Sequence, residues 1–510
     1  MYAHKRSVLS LFSGVGGLDL GLERAGLQID DVVENWAPAQ AVLAERFPGA
    51  NLHPDVATFF PERTYFALAA GFPCVDISQV GAQKGLAGKR SGLVSHVFRI
   101  ADSAKPEWIV LENVEHLLRI GRGAAMTSIT SELSARGYSW AYRVVDSRFT
   151  GVPQRRRRVV LLASIVPGAA ERLLVDGDAE APVSKANAEE SYGFYWTEGR
   201  TGTGLVSGAV PTIKAGSTVG LGSAPAVFVP NRVGLNRIVV PSVEALEVLQ
   251  GFPAGWTEVA AMADGDRTRM IGNAVSVGVG EWLGELLVSE PDSQVALDRR
   301  GPIDIREPWP RAGFGNESVA WASEATDRPH KTSPELSLPE ILDQYGSEPL
   351  SYRAARGCLS RLSSRPAPST TRLREALQLH LREWAPGATE QESLALNRRR
   401  GASALREYAA AIRSQGRRAA FDMTTPTTEE HWADVLCPET RISVTFSACE
   451  LACSDNEQGH GAARKRATSQ TKSSMLPDPT RGASDWTHIS VCGCSRETRK
   501  KLTIDSRVGT

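Results

Sequence analysis

Glycines between a predicted strand and a predicted helix form the first block of residues that could do chemistry. In LFSGVGGLDLGLERAG at 11–26, Gly14, Gly16 and Gly17 allow a tight turn that lets a ligand approach the helix N-terminus. The spacing is not the G-x-G-x-x-G of dinucleotide-binding proteins, which disfavours a dehydrogenase. Downstream, Glu34 closes the second predicted strand, where a carboxylate can accept hydrogen bonds from ribose hydroxyls, and Asp55 follows near the third.

Three later blocks bring a thiol, an acid and arginines to the ends of strands. Cys74 lies in GFPCVDIS at 71–78, after a proline that fixes the backbone. Glu112 lies in LENV at 111–114, where a buried strand that ends in Glu-Asn needs partners for both groups. In GVPQRRRRVV at 151–160, Arg156 and Arg158 share one strand face, and the other two arginines share the opposite face.

The elements that position these blocks alternate between strand and helix. Strands are predicted at 8–12, 32–35, 66–71, 108–113 and 157–164, with helical patterns after the first two. This alternation predicts an α/β protein with a doubly wound, mostly parallel sheet. Parallel strands end at the same edge, so the blocks are expected to meet there, where open α/β sheets bind ligands.

Composition limits the class of protein. The chain has 510 residues, which allows two to four domains, and 58 basic and 58 acidic side chains, which gives no whole-chain preference for a polyanion. We expect no transmembrane helix or signal peptide, and therefore a cytoplasmic protein. The seven cysteines do not indicate a disulfide framework. Cys449, Cys453, Cys492 and Cys494 lie close to the C-terminal end, where a C-x-C pair lacks the usual zinc spacing, so we predict no metal.

The pattern changes along the chain and predicts several segments. We assign a catalytic and cofactor-binding domain to 1–165, completed by 265–290, and a smaller, irregular β-rich region to 166–264. Beyond it we predict a linker at 291–350, a basic helical segment at 351–420 and a disordered tail at 421–510. PSVEALEVLQGF at 241–252 and the segment 269–290 are predicted to be helical, and the second is expected to pack back onto the first sheet.

Six blocks in this order resemble the DNA cytosine-5 methyltransferase family of bacterial restriction–modification type. They are FSGVGGLDLGLERAG, GFPC, LENV, GVPQRRRR, PSVEALEVLQGFP and IGNAV, and they cover residues 7–290. The resemblance implies a Rossmann-like, S-adenosylmethionine-dependent methyltransferase that flips a cytosine out of duplex DNA. It identifies Cys74 as the nucleophile that adds to carbon 6, Glu112 as the residue that holds the N3 and amino edge of the base, and Arg156 and Arg158 as neighbours of that base.

The same resemblance implies how S-adenosylmethionine is bound. Glu34 takes the ribose hydroxyls and Asp55 the adenine amino group. The remaining cofactor contacts implied are Phe12, Gly14, Gly16, Gly17, Asn273 and Val275.

Two positions depart from the family pattern. Val75 stands where the family loop P-C-Q-x-[FI]-S has glutamine, a residue that shapes the cavity left by the flipped base. Asn35 follows Glu34 where an apolar residue is usual, with Trp36 one place later, so either could meet the adenine.

The resemblance also implies that the region after the arginine block reads the DNA sequence. Candidate DNA contacts are Ser78, Gln154, Lys214 and Arg232. The basic segment 351–420 is either a phosphate clamp or a solvated helix. The expected partner is double-stranded DNA, a cognate restriction endonuclease is a candidate partner, and a monomer is predicted. Two alternatives stay open: a transfer-RNA cytosine-5 methyltransferase and a catalytically silent DNA-binding module.

Overall fold

Most of the alternating strands and helices are described in a computed structural model of the chain. The described residues are 6–73, 92–175, 178–180, 190–198, 203–216, 224–259, 262–289, 299–329, 335–364 and 368–384, with four strands beyond residue 419. The chain divides into two units, Met1–Gly387 and Ala388–Thr510.

Helices and strands follow one another along the whole of the first unit. The helices are α1 (Gly17–Arg24), α2 (Ala37–Arg46), α3 (Leu93–Ala104), α4 (Ala124–Ser134), α5 (Arg172–Val175), α6 (Val243–Gln250), α7 (Asp264–Asn273), α8 (Val277–Val288), α9 (Leu338–Tyr345), α10 (Tyr352–Ser363) and α11 (Thr371–Trp384). The strands are β1 (Ser7–Leu11), β2 (Gln28–Val33), β3 (Asn51–His53), β4 (Ala67–Gly71), β5 (Trp108–Val114), β6 (Ser139–Asp146), β7 (Gln154–Arg155), β8 (Arg157–Ser164), β9 (Tyr192–Phe194), β10 (Val206–Ser207), β11 (Val210–Pro211), β12 (Ala226–Phe228), β13 (Ile238–Pro241), β14 (Gly301–Pro302), β15 (Ala312–Gly315), β16 (Ala320–Ala322) and β17 (Ser347–Pro349).

A ten-stranded central sheet has the order β14-β16-β15-β6-β8-β5-β4-β1-β2-β3. The strands from β3 to β5 in this order run parallel to one another, whereas β8 is antiparallel to both β5 and β6. β6 therefore has the direction of the parallel strands. The predicted α/β fold is confirmed.

Helices cover both faces of the central sheet because its side chains alternate between the two faces. In β1, Val8 belongs to one buried cluster and Leu9 to the other. Helices α1, α2 and α8 contribute to the first cluster, and α3 and α4 contribute to the second. The sheet is thus doubly wound.

Glycines bring the late helix α8 into close contact with α1. A Cβ on Gly21 would lie 2.4 Å from the Val277 carbonyl oxygen, and one on Gly280 would lie 2.7 Å from the Leu18 carbonyl oxygen. The segment predicted as one helix at 269–290 is two helices, because the backbone is extended at Ala274 and Ser276 between α7 and α8. Through this contact, the late segment packs onto the predicted cofactor-binding domain.

The segment predicted as a linker at 291–350 contains strands of two sheets. β15 pairs with β6 and extends the central sheet. A Cβ on Gly315 would lie 2.7 Å from the Trp140 ring. Gly315 therefore allows β15 to pack closely against Trp140 and is not a sign of a flexible linker. Very short strands with glycine and proline have too little periodicity to be distinguished from a linker in the sequence.

A second sheet has five strands in the order β10-β9-β12-β13-β17, and every neighbouring pair is antiparallel. Helices α10 and α11 pack on one face, and α6 and α9 pack on the other. The predicted irregular insert at 166–264 is therefore a covered sheet that includes residues 335–384. At its beginning, Ala170 and Leu173 belong to the core of the central sheet instead.

In the second unit, four strands form a sheet: β18 (Ala420–Asp422), β19 (Trp432–Cys437), β20 (Ile442–Ser447) and β21 (Thr487–Cys492). They fall within or next to the predicted disordered tail, the rest of which lies outside the described residues. None of the helices that the structure describes is long and apolar enough to cross a membrane.

Candidate active site

A cavity of about 520 Å³ opens where four parallel strands end. Phe12 follows β1, Glu34 follows β2, Pro73 comes two residues after β4, and Glu112 lies near the end of β5. All four line this cavity. The sequence analysis expects the chemical blocks to meet at one edge of the sheet, and these four residues lie at such an edge.

The glycine loop and Glu34 form one wall of the cavity. Glu34 accepts hydrogen bonds from the backbone N–H groups of Gly14, at 2.9 Å, and Trp36, at 2.8 Å. Gly14 has a φ of +57°, and a Cβ built on it would meet no atom within 4 Å among the described residues. The backbone of Gly14 therefore faces open space, as a ligand contact requires.

Gly16 and Gly17 are needed for packing rather than for the cavity wall. A Cβ on Gly16 would lie 2.3 Å from the Phe47 ring, and one on Gly17 would lie 2.2 Å from the Val275 carbonyl oxygen. Val275, predicted as a cofactor contact, is thus buried against the glycine loop. Asn273, from the same block, does line the cavity.

The far end of the cavity combines an acid, an aromatic ring and a cation. Asp55, Asn35 and Trp36 all line it, so both candidates for the adenine contact are present. The Arg269 guanidinium lies over the Trp36 ring, 4.8 Å from its centroid. Sequence reasoning missed Arg269, although it precedes Asn273 by four residues on α7 and so shares a helix face with it.

Glu112 and Arg158 form a buried ion pair in the cavity wall. The Arg158 Nε atom lies 3.1 Å from Glu112 Oε1, and the two side chains are 15% and 9% exposed. Burial lowers the pKa of Arg158, and the Glu112 carboxylate opposes this effect. Beside them, Asn113 donates a hydrogen bond of 2.9 Å to the Phe72 carbonyl oxygen and so fixes the start of the cysteine loop. The structure thus brings Glu112 and Arg158 together in the cavity wall.

Arg156 lines the same cavity, but its hydrogen bonds go to the backbone. Its guanidinium donates to the carbonyl oxygens of Ile213, Gly272 and Ala274, at 3.2, 3.3 and 2.6 Å. Burial lowers the pKa of this group, and the charge of Arg158 adds to the effect. Arg156 therefore ties the arginine block to the IGNAV block and to the segment after β11. Its expected place beside the base stays a prediction, since Arg156 lines the cavity while it holds these three carbonyl groups.

Gln154 is fully buried, in contrast to its predicted DNA contact. Its amide donates to the Leu249 carbonyl oxygen at 2.9 Å and to Gln250 Oε1 at 2.6 Å, and its own oxygen accepts from the Ile213 N–H at 3.2 Å. An amide with three buried partners is a structural group.

Two predicted cationic DNA contacts are paired with acids. Lys214 forms an ion pair with Glu198 and lies 4.0 Å from the centroid of the Tyr195 ring. Arg232 forms an ion pair with Asp343 of α9. Cys74 and Ser78 lie outside the described residues.

Comparison with known proteins gives a consistent result. Residues 6–181 match the family model described as C-5 cytosine-specific DNA methylase. The chain is 39% identical to the type II methyltransferase M2.BsuMI of Bacillus subtilis strain 168 over 367 residues, which covers 69% of this chain and 92% of the relative. It is 33% identical to M.BsuFI of Bacillus subtilis over 162 residues, which covers 31% and 39%. A solved structure of the Dnmt2 methyltransferase of S. pombe is 15% identical, with a TM-score of 0.41 over 55% of this chain and 98% of that one.

An identity of 39% over 367 residues extends well beyond the residues 6–181 that the family model matches. The cytosine-specific family model and the type II methyltransferase relatives agree on the reaction, and members of this family take the methyl group from S-adenosylmethionine. The chain is therefore a DNA methyltransferase that belongs to the C-5 cytosine-specific DNA methylase family.

Proposed function

We propose that this enzyme methylates carbon 5 of a cytosine flipped out of a specific duplex DNA sequence, through a covalent bond between Cys74 and carbon 6 of the base. The observation that supports this most is the buried Glu112–Arg158 pair in the wall of a cavity that Pro73 also lines. Cys74 is the next residue in the chain after Pro73. A base-holding carboxylate and the nucleophile loop thus belong to one site.

The residues of the cavity fit S-adenosylmethionine. Glu34 is oriented by two backbone N–H groups and offers its remaining lone pairs to ribose hydroxyls. Asp55 can accept from the adenine amino group, and the Trp36 ring offers a flat apolar surface for the adenine. Phe12 and Asn273 line the same space. When bound there, the cofactor supplies an electrophilic methyl group.

The protein's own groups act on the cytosine. The Cys74 thiolate adds to carbon 6, and the electron pair of the C5–C6 double bond makes carbon 5 nucleophilic. Glu112 holds the N3 and amino edge of the base while charge develops there, and Arg158 keeps the carboxylate oriented. After methyl transfer, a base removes the proton from carbon 5 and the electrons of that C–H bond expel the thiolate. The Cys74 thiolate is thereby regenerated, the methyl group has replaced the carbon 5 proton, and the base releases that proton to solvent.

The nucleophile is tested with duplex DNA that contains 5-fluorocytosine at the target, because fluorine cannot leave as a proton does. The wild-type enzyme should form a denaturation-resistant adduct when S-adenosylmethionine is present, whereas Cys74→Ser should form none and should bind the cofactor within a few-fold of wild type. A serine hydroxyl is a much weaker nucleophile than a thiolate. An equally stable adduct in the variant would remove Cys74 from this role.

The nucleic-acid substrate is tested by supplying duplex DNA and transfer RNA in parallel, followed by bisulfite sequencing of the products. We expect methylation of DNA at one sequence. Methylation of transfer RNA alone would overturn the proposal, and binding of DNA without methylation would indicate a silent binding module.

The relatives named type II methyltransferases support a place in a restriction–modification pair. We infer that the chain works as a monomer and protects the site cut by a cognate endonuclease. DNA from cells that express it should resist one restriction specificity. Unchanged cleavage at the sequence found by bisulfite sequencing would contradict this role.

A further inference from the structure

The five-stranded sheet and the helices that cover it form what we call the recognition unit, defined by residues 190–259 and 335–384. Its first part follows the arginine block, where the proposed function places sequence reading. Its second part follows α8 by more than forty residues, and yet β17 forms the edge of the same sheet by pairing with β13. The sheet is therefore incomplete without residues 335–384.

The two faces of the recognition unit carry opposite charges. Residues 335–349, which form α9 and β17, contain four carboxylates (Glu335, Glu340, Asp343 and Glu348) and no lysine or arginine. Residues 351–374, which form α10 and the beginning of α11, contain six arginines and no carboxylate. α9 packs in the cluster of Val227 and Val239, and α10 packs in the cluster of Phe228 and Ile238. Adjacent strand residues point to opposite faces, so the acidic and basic helices lie on opposite sides of the sheet.

The outward side of α10 consists of donors. Its inward side is apolar, with Ala354, Ala355, Cys358 and Leu362 buried. Arg353, Ser360 and Ser363 are exposed, and Arg356 is half-buried between them. Arginine and serine are side chains that donate to phosphate oxygens. Arg353 forms no ion pair within the part of the chain that the structure describes.

Contacts connect α10 to the catalytic side of the molecule. Arg361, in the last turn of α10, donates a hydrogen bond to the Trp196 carbonyl oxygen. The preceding residue, Tyr195, donates a hydrogen bond of 2.8 Å to the Thr212 carbonyl oxygen, and the Thr212 hydroxyl donates one of 3.0 Å to the Arg155 carbonyl oxygen. Tyr195 therefore lies next to the arginine block. Arg353 lies eight residues before Arg361, about 12 Å along the helix. The last turn of α10 is thus linked to the arginine block through Trp196 and Tyr195.

We propose that α10 contacts the phosphate backbone of duplex DNA and that its face of the recognition unit is turned toward the substrate, with α9 turned away. This inference rests on the proposed function, because it assumes that duplex DNA is the substrate. It places this contact after the last family block, at the beginning of the segment 351–420 that the sequence identifies as either a phosphate clamp or a solvated helix.

The experiment measures the affinity of the full chain for a duplex that contains the methylated site, at a series of KCl concentrations. Each phosphate contact contributes about 0.9 to the slope of log K against log salt. Arg353→Gln should reduce this slope by about 0.9 and weaken binding several-fold. Ser360→Asp, which places a carboxylate on the same side of α10, should also weaken binding.

Arg306→Gln is the matched control, because Arg306 is exposed outside the recognition unit and its loss changes the net charge equally. Its slope should equal that of wild type. Thermal unfolding of all three variants should match wild type, since the replaced side chains are exposed.

Unchanged slopes and affinities in Arg353→Gln and Ser360→Asp would overturn the inference, as would an equal decrease of the slope in Arg306→Gln. Methyl transfer by the wild-type enzyme is measured in the same samples. Failure of the wild type to methylate the duplex would contradict the proposed function, whereas normal methylation with unchanged slopes would contradict only the role of α10.

Discussion

The cofactor cavity and the recognition unit are built according to different rules. The cavity collects short blocks from the ends of β1, β2, β4 and β5, each of which is continuous in the sequence and carries its chemistry in a few residues. The recognition unit is assembled from segments that are separated by α7, α8 and the strands β14 to β16. Chemistry that depends on strand ends is therefore local in sequence, whereas a binding surface that depends on a completed sheet is not.

Removal of residues 335–510 should have the largest effect on activity, because it disrupts the recognition unit but not the cavity. A chain that ends at residue 334 loses β17 and α9 to α11, which exposes Phe228, Ile238 and their buried neighbours. Each large apolar side chain exposed costs roughly 1.5–3 kcal/mol. We expect complete loss of DNA methylation, measured by methyl incorporation into duplex DNA.

A chain that ends at residue 387 is the control, because it keeps the whole first unit and should remain active. Binding of S-adenosylmethionine provides a second measurement. The shorter chain should still bind the cofactor, because all residues that line the cavity lie before residue 274. If the shorter chain methylated its normal site, residues 335–384 would not be part of the recognition unit.

Glu112→Gln should have the next largest effect, this time in the cavity. The substitution keeps the size of the side chain but removes the charge that faces Arg158, at 3.1 Å, and that holds the base. Loss of one such stabilising group typically lowers kcat by roughly 10²–10³-fold. Single-turnover methylation measures this decrease, and cofactor affinity should change little. A rate within about fivefold of wild type would be inconsistent with contact between Glu112 and the base.

These two predictions differ in how far the sequence alone could support them. Glu34 and Glu112 could be placed because each lies at or just after the end of a parallel strand, and parallel strands end at one edge. Arg158 reaches the same edge because β8 is antiparallel to β5 and begins there. The buried hydrogen bonds of Gln154 and Arg156 could not be predicted, because a sequence pattern gives the face of a strand but not which backbone carbonyls lie opposite it. The strands β14 to β17 have two to four residues each and depend on pairing with distant strands, so local patterns could not identify them.

Asp19→Asn tests a residue in the glycine block for which the sequence predicts no role. The Asp19 carboxylate is fully buried in α1, and neither oxygen has a hydrogen-bond partner among the described residues. Burial raises its pKa from 3.8 to about 7. The unfolded state thus releases the proton more readily, and stability should fall as pH rises from about 4 to about 7.

The asparagine variant lacks this ionisation. It should be more stable than wild type at pH 8 by up to about 4 kcal/mol, at 1.36 kcal/mol for each pKa unit, and by much less at pH 4. Urea unfolding at the two pH values measures the difference. An advantage for asparagine that is the same at both values would mean that Asp19 keeps its charge in the folded protein.

The smallest effects are expected for substitutions of Lys214 and Arg232, two cationic residues of the recognition unit. The backbone of Lys214 lies against Gly272, where a Cβ would be 2.4 Å from the Lys214 carbonyl carbon, so this lysine is next to the cofactor cavity. Arg232 instead pairs with Asp343 on the acidic side of the unit. Lys214→Met should therefore weaken binding to the target sequence by roughly 1–3 kcal/mol if the ammonium reaches a guanine edge. Arg232→Met should cost less than about 1 kcal/mol, as is usual for an ion pair with an exposed partner.

Competition binding with target and non-target duplexes separates the two effects, because loss of a base contact weakens only the target complex. If Arg232→Met weakened target binding more than Lys214→Met did, the DNA would have to lie on the α9 side, and the assignment of α10 to the DNA-facing side would be reversed.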